Sequence, residues 1–162
     1  MLRSTLPYRN NCEGYFTDNK GNILATITHE GIIIFPGGGI EEKETPEEAI
    51  QRETLEETGA HITDLTFLDT INIPWWDTWA KTAKQQERYQ HYQGEHMHFF
   101  TGRIHSFSEQ PNNEDSWKGK KFLTLKEAIH HLQLQLKKEP ASEPMIKTQL
   151  RFLQKIVNTP EE

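Results

Sequence analysis

One cysteine, Cys12, is all the thiol this 162-residue chain carries. An internal disulfide is therefore excluded, and a reducing cytosol is the compatible setting. Cys12 also has no partner pattern around it that would mark a nucleophile. Long apolar runs are missing: nothing approaches the roughly 18 residues of a membrane span, and the opening MLRSTLPYRN has no apolar signal-peptide core. Positive charge is in deficit. With 18 Lys and Arg against 24 Asp and Glu, the formal net charge is −6, which argues against a broad basic face for nucleic acid. Internal repeats and low-complexity tracts are absent as well. The expectation is one cytoplasmic domain over 1–162, with no membrane partner, burying about two-thirds of its unfolded-chain surface.

What the chain does contain is concentrated between Gly37 and Ala60, GGGIEEKETPEEAIQRETLEETGA. Pro36 to Gly39 reads as a glycine turn. Thr45 is placed to cap a helix, with Glu48 three residues on to complete a capping box and Pro46 at the first helical position. Gly59 supplies the left-handed residue that ends it. Glu44, Glu47 and Glu48 stand where the helix dipole favours anions. Glu53, Glu56 and Glu57 stand where it does not: at i, i+3 and i+4 they share one face and repel by about 0.2–0.5 kcal/mol per pair. They form either a solvated acidic face or a site for a hard divalent cation such as Mg²⁺, which takes carboxylate oxygens together with substrate phosphates.

The segment resembles the box of the Nudix (MutT-like) hydrolase family, G, five residues, E, seven residues, R-E-U-x-E-E-x-G-U, with U a bulky aliphatic residue. Gly38, Glu44, Arg52, Glu53, Glu56, Glu57 and Gly59 fall in register over 38–60. Thr54 and Ala60 at the U positions, and Lys43, depart from the pattern. The resemblance implies an α/β/α sandwich with a mixed sheet and a loop-helix-loop box. It also implies Glu53, Glu56, Glu57 and the Gly37 carbonyl as ligands of Mg²⁺, with Mn²⁺ as a substitute. Glu53 would also be the base that takes a proton from water, and Arg52 would orient the glutamates. Gly38, Glu44 and Gly59 would hold the loop and helix in shape.

Strands are expected over Asn11–Asp18, Ile23–His29 and Ile32–Phe35, then over Ile62–Ile73, Met97–Ile104 and Lys121–Leu125. Thr124 and Glu127 form a second capping box, ahead of a helix with an apolar side at Leu125, Ala128, Ile129, Leu132 and Leu136. Residues 139–144 read as a linker, followed by an amphipathic helix over about 143–158. Strands mixed with helices give an α/β class from the pattern alone.

The stretch 74–95 is longer than an ordinary connection, which suggests a lid or a short helix. Trp75 and Trp79 lie one helical turn apart, and Lys81, Lys84 and Arg88 fall on one face. They either stack a base and hold phosphate, or pack the excursion onto the core or a second copy in a homodimer. Arg9 is a surface arginine beside a strand or a ligand contact. His91, His96 and His98 are strand-face imidazoles or, less simply, zinc ligands. Glu95, Glu114 and Asp115 are surface charges or an added metal acid from outside the box.

By resemblance, the reaction is hydrolysis of a nucleoside diphosphate linked to another group, with small-molecule nucleotides as substrates. Pro74 sits near the distance of an ADP-ribose cue, but its surroundings differ. The chain is most similar to nucleoside triphosphate pyrophosphatases. ADP-ribose or other nucleoside diphosphate pyrophosphatases, a non-catalytic nucleotide-binding domain, an isopentenyl diphosphate isomerase-like enzyme and a tryptophan-rich interaction module stay open.

Overall fold

The computed structural model describes residues 2–108, 117 and 121–158. In chain order the elements are β1 (Tyr8–Thr17), β2 (Ile23–Leu24), β3 (Thr26–Ile27), β4 (Ile33–Ile34), β5 (Gly37–Gly39), α1 (Pro46–Thr58), β6 (Ala60–Pro74), α2 (Ala83–His91), β7 (Gly94–Phe107), β8 (Phe122–Leu123), α3 (Leu125–Lys138) and α4 (Glu143–Val157).

The main sheet runs β6-β7-β1-β2-β8, and β5 lies along β1. It is mixed. β1 and β7 are parallel from Tyr8 opposite Gly94 to Thr17 opposite Arg103, while β6 and β7 are antiparallel from Ala60 opposite Phe107 to Pro74 opposite Gly94. The excursion after Pro74 is thus the connection at one end of the β6–β7 pair.

Side chains alternate across a strand, and the central strands use both faces. Tyr15, Met97 and Phe99 pack against Leu132 of α3 and Ile146, Phe152 and Leu153 of α4. Cys12, Phe16 and Phe100 pack the other way, against Ala49 and Ile50 of α1. The sheet is therefore sandwiched between α1 and the α3/α4 pair, as the resemblance implies. Tyr15, Phe35, Phe99 and Phe152 form an aromatic cluster with ring centroids 4.9–6.3 Å apart. Truncating buried Phe152 to alanine would cost about 3–5 kcal/mol.

Four expectations change. Pro36–Gly39 is not a turn: Gly37–Gly39 is a strand paired with β1, Asn11 opposite Gly39 and Glu13 opposite Gly37. A Cβ on Gly37 would lie 2.1 Å from the Cys12 carbonyl oxygen, so glycine is needed there for close approach rather than for backbone freedom. The Ile23–His29 strand is split, because Ala25 donates to the Lys121 carbonyl at 3.0 Å and the chain then leaves for a small second sheet of β3 and β4. The Trp75–Trp79 segment is not helical; the helix starts at Ala83, under a Thr82–Gln85 capping box. The linker 139–144 is a 3-10 turn running into α4, with Ser142 buried.

Candidate active site

Helix α1 carries the acids, and its ends are built as the sequence predicts. Thr45 and Glu48 exchange the two capping-box hydrogen bonds, at 3.1 Å each. Gly59 ends the helix at φ 78°, donating to the Leu55 carbonyl at 2.9 Å. Thr54 and Ala60, the departures from the aliphatic pattern, are both buried. The Thr54 hydroxyl donates to the Ile50 carbonyl at 2.6 Å, so its polarity is satisfied within the helix.

Arg52 is the hub of the site. Its Nε and Nη2 grip both Glu44 oxygens at 2.6 and 3.0 Å, and Nη2 also reaches the Gly39 carbonyl at 3.1 Å. Nη1 donates to Glu53 at 3.1 Å and Glu56 at 3.2 Å. The fork hydrogen bonds of Arg52, with the Glu41 amide in support, hold the Glu44 carboxyl at about 2, well below its usual value. The same bonds to Glu44 raise the Arg52 guanidinium further above its ordinary range. One arginine therefore ties the loop before the helix, the glycine strand and two of the three clustered acids together.

Glu57, the third acid, is held separately. One carboxylate oxygen accepts from the Gly37 amide at 3.0 Å, the other from the Trp117 indole at 2.8 Å. Trp117 is buried. Lying sixty positions from its partner, it gives no local sequence signal. Under Gly38, the missing Cβ makes room for acid: a Cβ there would sit 2.6–2.7 Å from the Glu53 carboxyl atoms. Cys12 donates from Sγ to the Gly38 carbonyl at 3.3 Å, and burial pushes its thiol up to about 12, which removes it as a nucleophile.

Among the described residues no three His, Cys, Asp or Glu side chains converge on one point, because Arg52 draws Glu53 and Glu56 aside while Gly37 and Trp117 fix Glu57. The donor set nonetheless suits a hard divalent cation: carboxylate oxygens on one helix face beside a strand with no side chains.

The remaining candidates separate. Trp75 is buried and stacks on Trp79, with centroids 3.7 Å apart and planes 7° from parallel, so one ring face of each is already taken. Lys84 is exposed, whereas Arg88 is half-buried. Lys81 pairs with Glu139 at 2.9 Å, away from that face. Glu95 accepts from Asn11 at 2.8 Å on the side of the sheet opposite α1, apart from the other acids. His96 bonds Asn72, and His98 Nδ1 lies 3.2 Å from the Thr70 hydroxyl, the ordinary strand-face arrangement; His91 meets the Glu87 carbonyl at 2.9 Å. Glu114 and Asp115 lie outside the described residues.

Comparison with known proteins agrees with this geometry. Over 37 residues, 23% of the chain, it is 54% identical to an 8-oxo-dGTP diphosphatase of Proteus vulgaris, covering 33% of that protein. Over 97 residues, 60% of the chain, it is 30% identical to an RNA pyrophosphohydrolase of Helicobacter pylori strain G27, covering 56% of it. The chain thus spans between a third and just over half the length of these relatives. A NUDIX hydrolase from Nitrosomonas europaea shares the fold with a TM-score of 0.55 at 16% identity, 75% of each chain being covered. A Bacillus subtilis pyrophosphohydrolase does so with a TM-score of 0.53 at 20% identity, over 76% of this chain and 67% of that one. The NUDIX domain pattern matches residues 10–149, and with its box, sandwich and glutamate cluster this chain belongs to the NUDIX family.

Proposed function

We propose that this chain is a Mg²⁺-dependent hydrolase that cleaves the diphosphate linkage of a nucleoside diphosphate derivative, most closely in the manner of a nucleoside triphosphate pyrophosphatase. The observation that carries the reading is the Arg52 hub, which gathers Glu44, Glu53 and Glu56 beside the glycine strand while Glu57 is fixed on Gly37. Glu53, Glu56, Glu57 and the Gly37 carbonyl would hold the cation. When bound, Mg²⁺ neutralises phosphate charge and acidifies water.

The protein's share is positioning and proton transfer. Arg52 orients Glu53 and Glu56, and Glu44 keeps Arg52 in place. Glu53 takes a proton onto a carboxylate oxygen as the water oxygen bonds to phosphorus and the anhydride P–O bond breaks. Trp117 and the Gly37 amide hold Glu57 at a fixed angle. The Helicobacter pylori relative is named for action on RNA, so a 5′-triphosphorylated RNA belongs beside free nucleotides as a substrate.

The test is release of phosphate or pyrophosphate, with Mg²⁺ or Mn²⁺, from nucleoside triphosphates, 8-oxo-dGTP, ADP-ribose, NADH and 5′-triphosphate RNA. Turnover of a triphosphate is expected, and Glu53→Gln should lower kcat by about 10²–10⁴-fold. Release that needs no divalent cation, or full activity in Glu53→Gln, would overturn the reading.

A further inference from the structure

On the face of the sheet away from α1, Arg9 stands beside the glycine strand and Arg88 lies within electrostatic reach of it; neither makes a hydrogen bond or ion pair among the described residues. Arg9, on β1, presses on Gly39 so closely that a Cβ there would lie 2.5 Å from Nη2. Arg88, half-buried on α2, is within electrostatic reach of Arg9; burial first, and the Arg9 charge second, lower its guanidinium from the ordinary value. Glu95, the register partner of Arg9 on β7, acts electrostatically with both, and it already accepts from Asn11. On α2 itself Glu87 also acts on Arg88, though it is exposed. The Trp75 indole N–H lies within reach of Glu95, buried and with no hydrogen-bond partner among the described residues.

Two guanidiniums within electrostatic reach of each other, partly withdrawn from water and without a hydrogen-bonded partner among the described residues, are unfavourable for the empty protein. Nor is Arg88 there for want of restraint. Arg3 bonds the Tyr89 and Tyr92 carbonyls at 2.5 and 2.8 Å and lies over the Tyr89 ring. The Gln93 amide donates to the Pro7 carbonyl at 3.0 Å. Helix α2 is therefore fixed in place, with Arg88 held near Arg9.

Gly39 connects this pair to the acids. Its carbonyl accepts from Arg52, its α-carbon faces Arg9, and the α-carbon of its neighbour Gly38 faces Glu53. We propose that Arg9 and Arg88 form an anion subsite, continuous with the glutamate cluster across the bare strand β5, that grips one phosphate of the substrate. Guanidinium forks suit phosphate oxygens. The subsite selects a substrate with a phosphate beyond the cleaved linkage, a nucleoside triphosphate or a 5′-triphosphate end, over a diphosphate joined to a neutral sugar. The identity of that substrate rests on the hydrolase reading; the anion site itself does not.

Titration calorimetry with inorganic tripolyphosphate in EDTA tests the site without metal or turnover. The wild type should bind, and Arg9→Gln or Arg88→Gln should each weaken binding about tenfold or more. With Mg²⁺, the same variants should raise KM for the preferred triphosphate by a similar factor, keep kcat within about threefold and leave KM for ADP-ribose nearly unchanged. Arg88→Lys should recover part of the loss. Unaltered tripolyphosphate affinity in both glutamine variants, with unchanged melting, overturns the proposal. Loss of binding in the variants of a protein that hydrolyses none of the nucleotides supports the subsite while removing the hydrolase reading.

Discussion

Arg52 divides one planar guanidinium among three carboxylates and a carbonyl. A lysine presents a point charge and cannot reproduce that fork. Arg52→Lys should therefore lower kcat by about 10–100-fold, with a melting point close to wild type because lysine keeps a positive charge beside the three acids; steady-state kinetics beside a thermal scan checks both. The neighbouring glycines separate stability from activity. A Cβ on Gly37 meets backbone, the Cys12 oxygen at 2.1 Å and Glu13 Cα at 2.9 Å, whereas on Gly38 it meets the end of the Glu53 side chain. Gly37→Ala should cost on the order of 1–3 kcal/mol in urea unfolding, while Gly38→Ala should leave the urea midpoint near wild type and reduce turnover by displacing Glu53. The acids and Arg52 are legible in the sequence because one helix sets their spacing. Trp117 is not, and although Arg9 reads as a surface arginine or a ligand contact, only the folded sheet brings these two to Glu57 and Gly39.

Among elements, α2 and the turn before it are a fixed wall rather than a mobile lid. At one end Arg3 and Gln93 fasten the helix to the N-terminal segment. At the other, Glu139 accepts from Trp76 at 2.7 Å, Thr78 at 2.7 Å and Lys81 at 2.9 Å. Partial burial opposes ionisation of Glu139, but these three donors hold its carboxyl below the usual value. Glu139→Ala should free residues 76–81 to exchange and to proteases at a global cost of about 1–2 kcal/mol, which amide hydrogen exchange resolves. The length of the excursion showed in the sequence, but the Thr82–Gln85 capping box that fixes the start of α2 emerged only with the structure. So did its docking, because Glu139 sits in a stretch that reads as a linker. Gly37–Gly39 misled for a related reason: glycine serves close backbone approach and turns alike, and only pairing with β1 distinguishes them.

For the whole molecule, the sheet divides acidic chemistry on its α1 side from a half-buried carboxyl on the other. Glu13 accepts from the Tyr15 hydroxyl at 2.5 Å and Gln149 at 3.0 Å. Withdrawal from water, opposed by those two hydrogen bonds and aided by Glu95, pushes its carboxyl up from 4.5 to about 7. The folded chain thus holds this proton more tightly than the unfolded one. Its stabilising contribution is fully present below pH 4.5 and declines as pH rises through about 7. That decline is on the order of 3 kcal/mol. Glu13→Gln should lack it, so urea midpoints of variant and wild type, compared across that window, should shift in the variant's favour as pH rises. A pH-independent difference would refute the assignment. The α/β class was readable from strand and helix periodicity, and the sandwich followed only from the family resemblance; the partition of charge between its faces depends on strand register, which no local pattern encodes.

The bare strand β5 also has a practical use. Three successive residues with no side chain give amide signals in the sparsely populated glycine region of a nitrogen–proton spectrum. Titrated manganese should broaden the signals of Gly37 and Gly38 first, and diamagnetic tripolyphosphate should move that of Gly39. One labelled sample would then read the occupancy of both faces independently.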